Sequence, residues 1–144
     1  MFPMYDPVLI QPMRDEVTAM GVQELLSASD VDVEIAKPGT VLVFVNSVCG
    51  CAAGGARPGL RLALQGPISP DRVVSVFAGQ DREATSRARE YFLGYAPSSP
   101  SFALFRNGRL MQMLERHQIE GRTPEMIASA LATMFDVHCT AQPS

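Results

Sequence analysis

Cys49 and Cys51 stand one residue apart in VNSVCGCAAG, residues 45–54, and they are two of the three cysteines in the chain. Thiols this close exchange disulfides, hold a metal or register oxidation. A bridge between them needs a sharp turn at Gly50, which lacks the Cβ that would resist it. Such a bridge is strained, and strain raises its reduction potential. The pair therefore suits thiol exchange, as oxidant or isomerase, more than permanent bridging, and it favours a mixed disulfide on Cys49.

The elements around the pair decide which thiol reacts. Residues 40–47, TVLVFVNS, are uncharged, β-branched and aromatic, which reads as a strand covered on both faces. Ala52, Ala53, Ala56, Leu60, Leu62, Ala63 and Leu64 then mark a helix, interrupted by Gly54, Gly55, Pro58 and Gly59 and bent near Pro58. Cys49 falls where unpaired N–H groups and the positive end of the helix dipole collect, and both favour thiolate over thiol. Cys49 is the expected reactive sulfur, with Cys51 just inside the helix.

Elsewhere, residues 12–20 suit a short helix opened by Pro12 and ended by Gly21. Residues 29–38 are ambiguous: Val31, Val33 and Ile35 alternate like a strand, while Ser29 and Asp30 can cap a helix. Residues 72–78 form a second buried strand, and Ala84, Ala88, Tyr91, Phe92 and Tyr95 place a helix over 81–95. Asn107-Gly108 divides residues 101–116 into a hairpin with a type I′ turn. Thr123 caps a last helix with Pro124 in its first turn and Met126, Ile127, Ala130, Leu131, Met134 and Phe135 as its apolar face.

The order is helix, strand, helix, strand, helix, hairpin, helix. Right-handed crossovers give an α/β, thioredoxin-like architecture: a mixed central sheet flanked by helices on both faces, with an N-terminal helical extension. Residues 1–144 read as one domain, with about 1–39 as the extension and about 137–144 as a C-terminal tail. In such proteins the proline that opens the hairpin, here Pro100 in Ser98-Ser99-Pro100, is cis and faces the reactive cysteine. That would leave the Ser99 backbone free to pair with an extended substrate, so Ser99, Pro100 and Gly50 are the expected substrate-binding residues.

Composition excludes several classes. Twelve basic and fifteen acidic residues give a net charge of −3 without a basic run, which argues against a nucleic-acid partner. No apolar run is long enough for a membrane span, and the N-terminus lacks the charged region and cleavage site of a secretory signal. Three cysteines are too few, and odd in number, for a disulfide scaffold, so the cytoplasm is the expected location.

Five segments together, VNSVCGCAAGGARPG, VFAGQD, YAPSSPSFALF, ERHQIEGR and FDVHC, resemble the bacilliredoxins over nearly the whole chain. The resemblance implies a thiol–disulfide oxidoreductase of bacteria that make the low-molecular-weight thiol bacillithiol. Bacillithiol would be co-substrate, with no bound cofactor, and the partners would be S-bacillithiolated client proteins. Carried onto this chain, Cys49 is the nucleophile, Cys51 the resolving thiol and Pro100 the cis-proline. Residues 29–38 depart from the family, reading as more strand-like than the helix expected there.

Two rival readings use the same thiols. Cys49, Cys51 and Cys139, with His138 or His117, offer ligands to zinc or an iron–sulfur centre, although a second CxxC or CxxH pair is missing. Alternatively the cysteines belong to a non-enzymatic adaptor that senses oxidation. Cys139 is either an exposed or half-packed thiol without a role or an auxiliary resolving cysteine. Arg57 reads as a surface residue or as a guide for an anion such as the malate moiety of bacillithiol. His117 reads as solvated more than as an electrostatic tuner of the active site, the methionines read as core filler more than as metal ligands, and Gly54-Gly55 lacks the rest of a phosphate loop.

Overall fold

The computed structural model describes residues 5–139. Helix α1 (Pro7–Thr18) is capped by the Asp6 carboxylate, which accepts from the Val8 N–H, and it has Pro7 in its first turn. It thus begins one turn before the predicted start, and Pro12 lies inside it. A short strand β1 (Gln23–Glu24) follows, which the sequence reading missed. The ambiguous stretch is helix α2 (Ala28–Ala36), capped by the Ser27 hydroxyl. Val31 and Ile35, one helical turn apart, are buried, whereas Val33 is exposed. The apparent departure from the family therefore disappears.

Strand β2 (Thr40–Asn46) is buried at every residue and is the centre of the sheet. Beyond the reactive loop, a π turn (Ala52–Ala56) runs into helix α3 (Arg57–Ala63). The break expected near Pro58 takes this form: the Arg57 N–H reaches back to the Ala52 carbonyl, widening the turn just before a residue that has no N–H to donate. Strand β3 (Arg72–Phe77) and helix α4 (Arg82–Glu90) come next. Helix α4 stops short of the predicted Tyr95; Gly94 turns with φ of 88° and Leu93 and Tyr95 are exposed.

Strands β4 (Ser101–Arg106) and β5 (Arg109–Leu114) flank Asn107 and Gly108, whose φ angles of 51° and 79° are those the type I′ turn requires. A four-residue helix α5 (Arg116–Ile119), closed by a Glu115/Gln118 capping box, was not foreseen. Helix α6 (Pro124–His138), capped by the Thr123 hydroxyl, completes the described chain. The predicted tail lies largely outside it.

The sheet order is β1-β3-β2-β4-β5, with β2 parallel to β3 and antiparallel to β4. Part of the predicted N-terminal extension is thus an integral strand of the sheet. Two apolar cores lie on its opposite faces. Leu42, Phe44, Phe102 and Leu104 meet α3 and α6 on one side, while Val41, Val43, Val45 and Phe105 meet α2 and α4 on the other.

The apolar periodicity of the helix after Cys51 did not reveal how closely α3 approaches α6. A Cβ on Gly59 would stand 2.8 Å from Ile127 Cγ2 and 3.1 Å from the Pro124 carbonyl, and one on Gly55 would stand 2.9 Å from Ile127 Cδ1. The two glycines, one turn apart, let the helix that carries the cysteines seat on α6. Gly59→Ala is expected to destabilise the protein by about 1–2 kcal/mol, because overpacking outweighs the gain in helix propensity. Urea unfolding measures this as a lower midpoint with an unchanged slope.

Candidate functional site

The chain leaves β2 at Asn46 and turns into a helix within three residues. The Cys49 carbonyl accepts from the N–H groups of Ala52 at 3.0 Å and Ala53 at 3.2 Å, so Cys49 occupies the mouth of that helix. Its side chain is half-buried and remains open to solvent, as does that of Cys51, and both are free thiols.

Ser47 completes the environment of the sulfur. Its hydroxyl donates to Cys49 Sγ at 3.3 Å and accepts from the Cys49 N–H at 3.4 Å. Burial opposes ionisation of Cys49, but the Ser47 hydroxyl, the N–H groups of Ala52 and Cys51 and the charge on Arg116 outweigh it, and the thiol lies below its ordinary pKa. Cys51 moves the other way, raised by burial and then by the charge on Cys49 beside it. One thiol is thus prepared to attack while its neighbour stays protonated.

Pro100 enters from the opposite side. The register sets Ser101 against Val45, so Pro100 lies beside the end of β2 from which the reactive loop departs. The Ser99–Pro100 peptide is cis and Pro100 is buried. The expectation of a free Ser99 backbone needs correction for the carbonyl, which accepts from Arg116 Nη1 at 3.1 Å. Gly50 is exposed at the helix mouth, with open space where a Cβ would stand. Cys49, Gly50, Cys51, Ser99 and Pro100 therefore belong to one end of the sheet.

Cys139 does not join them. It is buried in the core near the Thr40 hydroxyl, and burial raises its thiol pKa. Thr40 opens β2 and Cys49 lies past its far end, which at the rise of a strand is about 20 Å away. His138, bonded to Gln112 at 3.0 Å, precedes Cys139 at that remote end. Among the described residues no three metal-ligating side chains converge, so the ligand set of the metal reading is dispersed.

Two residues of the site, Ser47 and Arg116, are absent from the sequence reading, and a third, Arg57, is corrected. Ser47 stands within the quoted motif, and a hydroxyl two residues before a cysteine was its signal. Arg116 carried no signal beyond its place next to His117, which is exposed, as a solvated histidine would be. Arg57 is neither a surface residue nor an anion guide. It is only 2% exposed, and its guanidinium is directed inward at Asn46, Ser47 and Glu16.

Comparison with known proteins bears on the family and the fold. The family model described as "Disulphide isomerase" matches residues 5–139. Bacilliredoxins of Staphylococcus aureus strains NCTC 8325 and COL are each 51% identical over 138 residues, covering 96% of this chain and 95% of theirs. Among solved structures, Fasciola hepatica thioredoxin aligns with a TM-score of 0.58 at 19% identity, covering 81% of this chain and 99% of its own. The oxidised mitochondrial thioredoxin 3 of Saccharomyces cerevisiae gives 0.56 at 15%, covering 85% and 98%. These two likenesses establish the thioredoxin fold. At half identity over nearly the full length, the relationship to the first two is one of family, and the chain belongs to the bacilliredoxins, a group of thiol–disulfide oxidoreductases.

Proposed function

We propose that the protein removes bacillithiol from S-bacillithiolated client proteins through a mixed disulfide on Cys49. The observation that carries this reading is the solvent-open Cys49 sulfur at a helix mouth, hydrogen-bonded by Ser47 and facing Arg116. The Cys49 thiolate attacks the bacillithiol sulfur of the client disulfide. A new S–S bond joins Cys49 to bacillithiol, and the client sulfur departs as thiolate and takes a proton from water. A second bacillithiol thiolate then attacks the bacillithiol sulfur of the adduct, releasing oxidised bacillithiol and restoring Cys49. Alternatively, deprotonated Cys51 attacks the Cys49 sulfur, releases bacillithiol and leaves a Cys49–Cys51 disulfide. The burial that raises the Cys51 pKa persists in the adduct, where Cys49 is no longer an anion, and it favours the first route at neutral pH.

Arg116 takes the anion-guiding place first considered for Arg57. Its side chain is 42% exposed, its charge acts on both thiols, and its Glu120 partner is 3.6 Å away, so an incoming carboxylate can compete for it. Arg116→Gln is expected to lower kcat/KM for a bacillithiolated client about 3- to 10-fold, and less for a client carrying an uncharged thiol. Disulfide isomerisation is the second activity this site supports, since two adjacent sulfurs of opposite ionisation tendency can capture and return a client disulfide. No helix of the described residues is long and apolar enough to cross a membrane, and the proposed reduction of client disulfides suits a reducing compartment such as the cytoplasm.

The test is intact-protein mass spectrometry after mixing with a bacillithiolated client. A mass increase of one bacillithiol, mapped to Cys49, with release of client thiol supports the proposal. Absence of the adduct from both the native protein and Cys51→Ser overturns it.

A further inference from the structure

Arg57 is a charged side chain that the exchange chemistry does not use, yet it is 2% exposed at the base of the reactive loop. Its Nη1 donates to the Ser47 carbonyl at 2.9 Å and to Asn46 Oδ1 at 3.0 Å, and its Nε donates to Glu16 Oε1 at 3.0 Å. Asn46 Oδ1 also accepts from the Ser47 N–H at 2.9 Å, and Asn46 Nδ2 donates to the Met13 carbonyl at 3.3 Å. The backbone of Ser47 is thereby held on both sides, its N–H by Asn46 and its carbonyl by Arg57. Burying a guanidinium is costly unless its donors are matched, and here the fork spans three acceptors that a lysine ammonium on a flexible stem would not reproduce.

What this clamp fixes is the residue whose hydroxyl reaches Cys49 Sγ. A serine hydroxyl that must donate to one sulfur and accept from one N–H has a narrow choice of χ1, and that choice is meaningful only if its backbone is fixed. We propose that the Glu16–Arg57 pair is a positioning device for the Cys49 sulfur, by which helix α1 holds the reactive loop in the conformation that sets the Ser47 hydroxyl against it. Arg57 touches neither sulfur and acts through Ser47. The inference rests on Cys49 being the attacking thiol.

The test titrates Cys49 by thiolate ultraviolet absorbance in the full-length Cys51→Ser protein, where the one other thiol, Cys139, is buried with a raised pKa and so ionises in a later step. Arg57→Lys keeps the charge and loses the fork. It is expected to move the midpoint up by about half a pH unit, a roughly 3-fold loss of thiolate below the midpoint. In a Ser47→Ala background the same substitution should move it no further, since the hydroxyl that transmits the effect is gone. A purely structural arginine would lower Tm and leave the midpoint alone.

Glu16→Ala supplies a second variant, in which water can reach the Arg57 Nε that the carboxylate vacates, because the Glu16 side chain is 39% exposed. By charge alone, losing an anion would lower the Cys49 midpoint; loss of positioning raises it. A midpoint unmoved by Arg57→Lys, or moved equally with and without Ser47, overturns the proposal. So does a midpoint that falls or stays in Glu16→Ala, which decides the question alone if Arg57→Lys does not fold. The titration reads the sulfur without any client, so a failure here is separate from a failure to form the bacillithiol adduct.

Discussion

Cys49→Ser is expected to reduce disulfide exchange by about 10³-fold or more, because a serine hydroxyl is neither ionised near neutral pH nor able to form an S–S bond. Cys51→Ser should behave differently: the first exchange proceeds, the mixed disulfide on Cys49 builds up, and turnover depends on added thiol. Rapid-quench measurement of client release separates the two, as a full burst in Cys51→Ser and none in Cys49→Ser. A burst in Cys49→Ser would transfer the nucleophile to Cys51. The pH dependence has a definite sign. The Cys49 pKa is lowered, so the first exchange should rise with pH, pass half-maximum below the ordinary thiol value and level off above it. Ser47→Ala removes the hydrogen bond that favours thiolate, and it should move that half-maximum upward.

The largest stability effect is expected at Phe44. It is fully buried in the central strand, pairs across the ladder with Phe102, and stacks on it with ring centroids 4.7 Å apart. Phe44→Ala deletes the ring where β2, β4, α3 and α6 meet, with a cost of about 3–5 kcal/mol from lost burial and the remaining cavity. For a chain of this length the corresponding fall in Tm is about 10 °C or more, readable by calorimetry. Phe44→Leu, which retains most of the apolar volume, should recover a large part of it. A loss below about 1 kcal/mol for the alanine variant would mean that the two cores do not unfold as one unit.

The strongest local signals translated directly into structure. An uncharged β-branched run must be covered on both faces, and β2 is. Asn107-Gly108 tolerates two positive φ angles, and the hairpin turns there. Thr123-Pro124 caps and starts α6 as the pattern required. The ends of elements were less legible. Asp6-Pro7 and Pro12 offer competing helix starts, and the choice of the earlier one places Met13, Arg14 and Glu16 where α1 can reach Asn46, Asp81 and Arg57. Three alternating apolar residues in α2 fit a strand as well as a helix, and packing against α4 selected the helix.

Read alone, the amino-acid order determined the alternation of helices and strands and the place of Cys49 after the central strand, because each follows from periodicity, turn chemistry and chain connectivity over short distances, whereas the proline opposite Cys49 was expected from the likeness to thioredoxin-like proteins. The assignment of Arg57 to the interior, Arg116 to the sulfurs and Cys139 to the remote end was decided only by the folded molecule. Those roles depend on which groups meet across tens of residues of intervening chain, and a side chain's charge does not reveal whether its partners lie in water or in the protein.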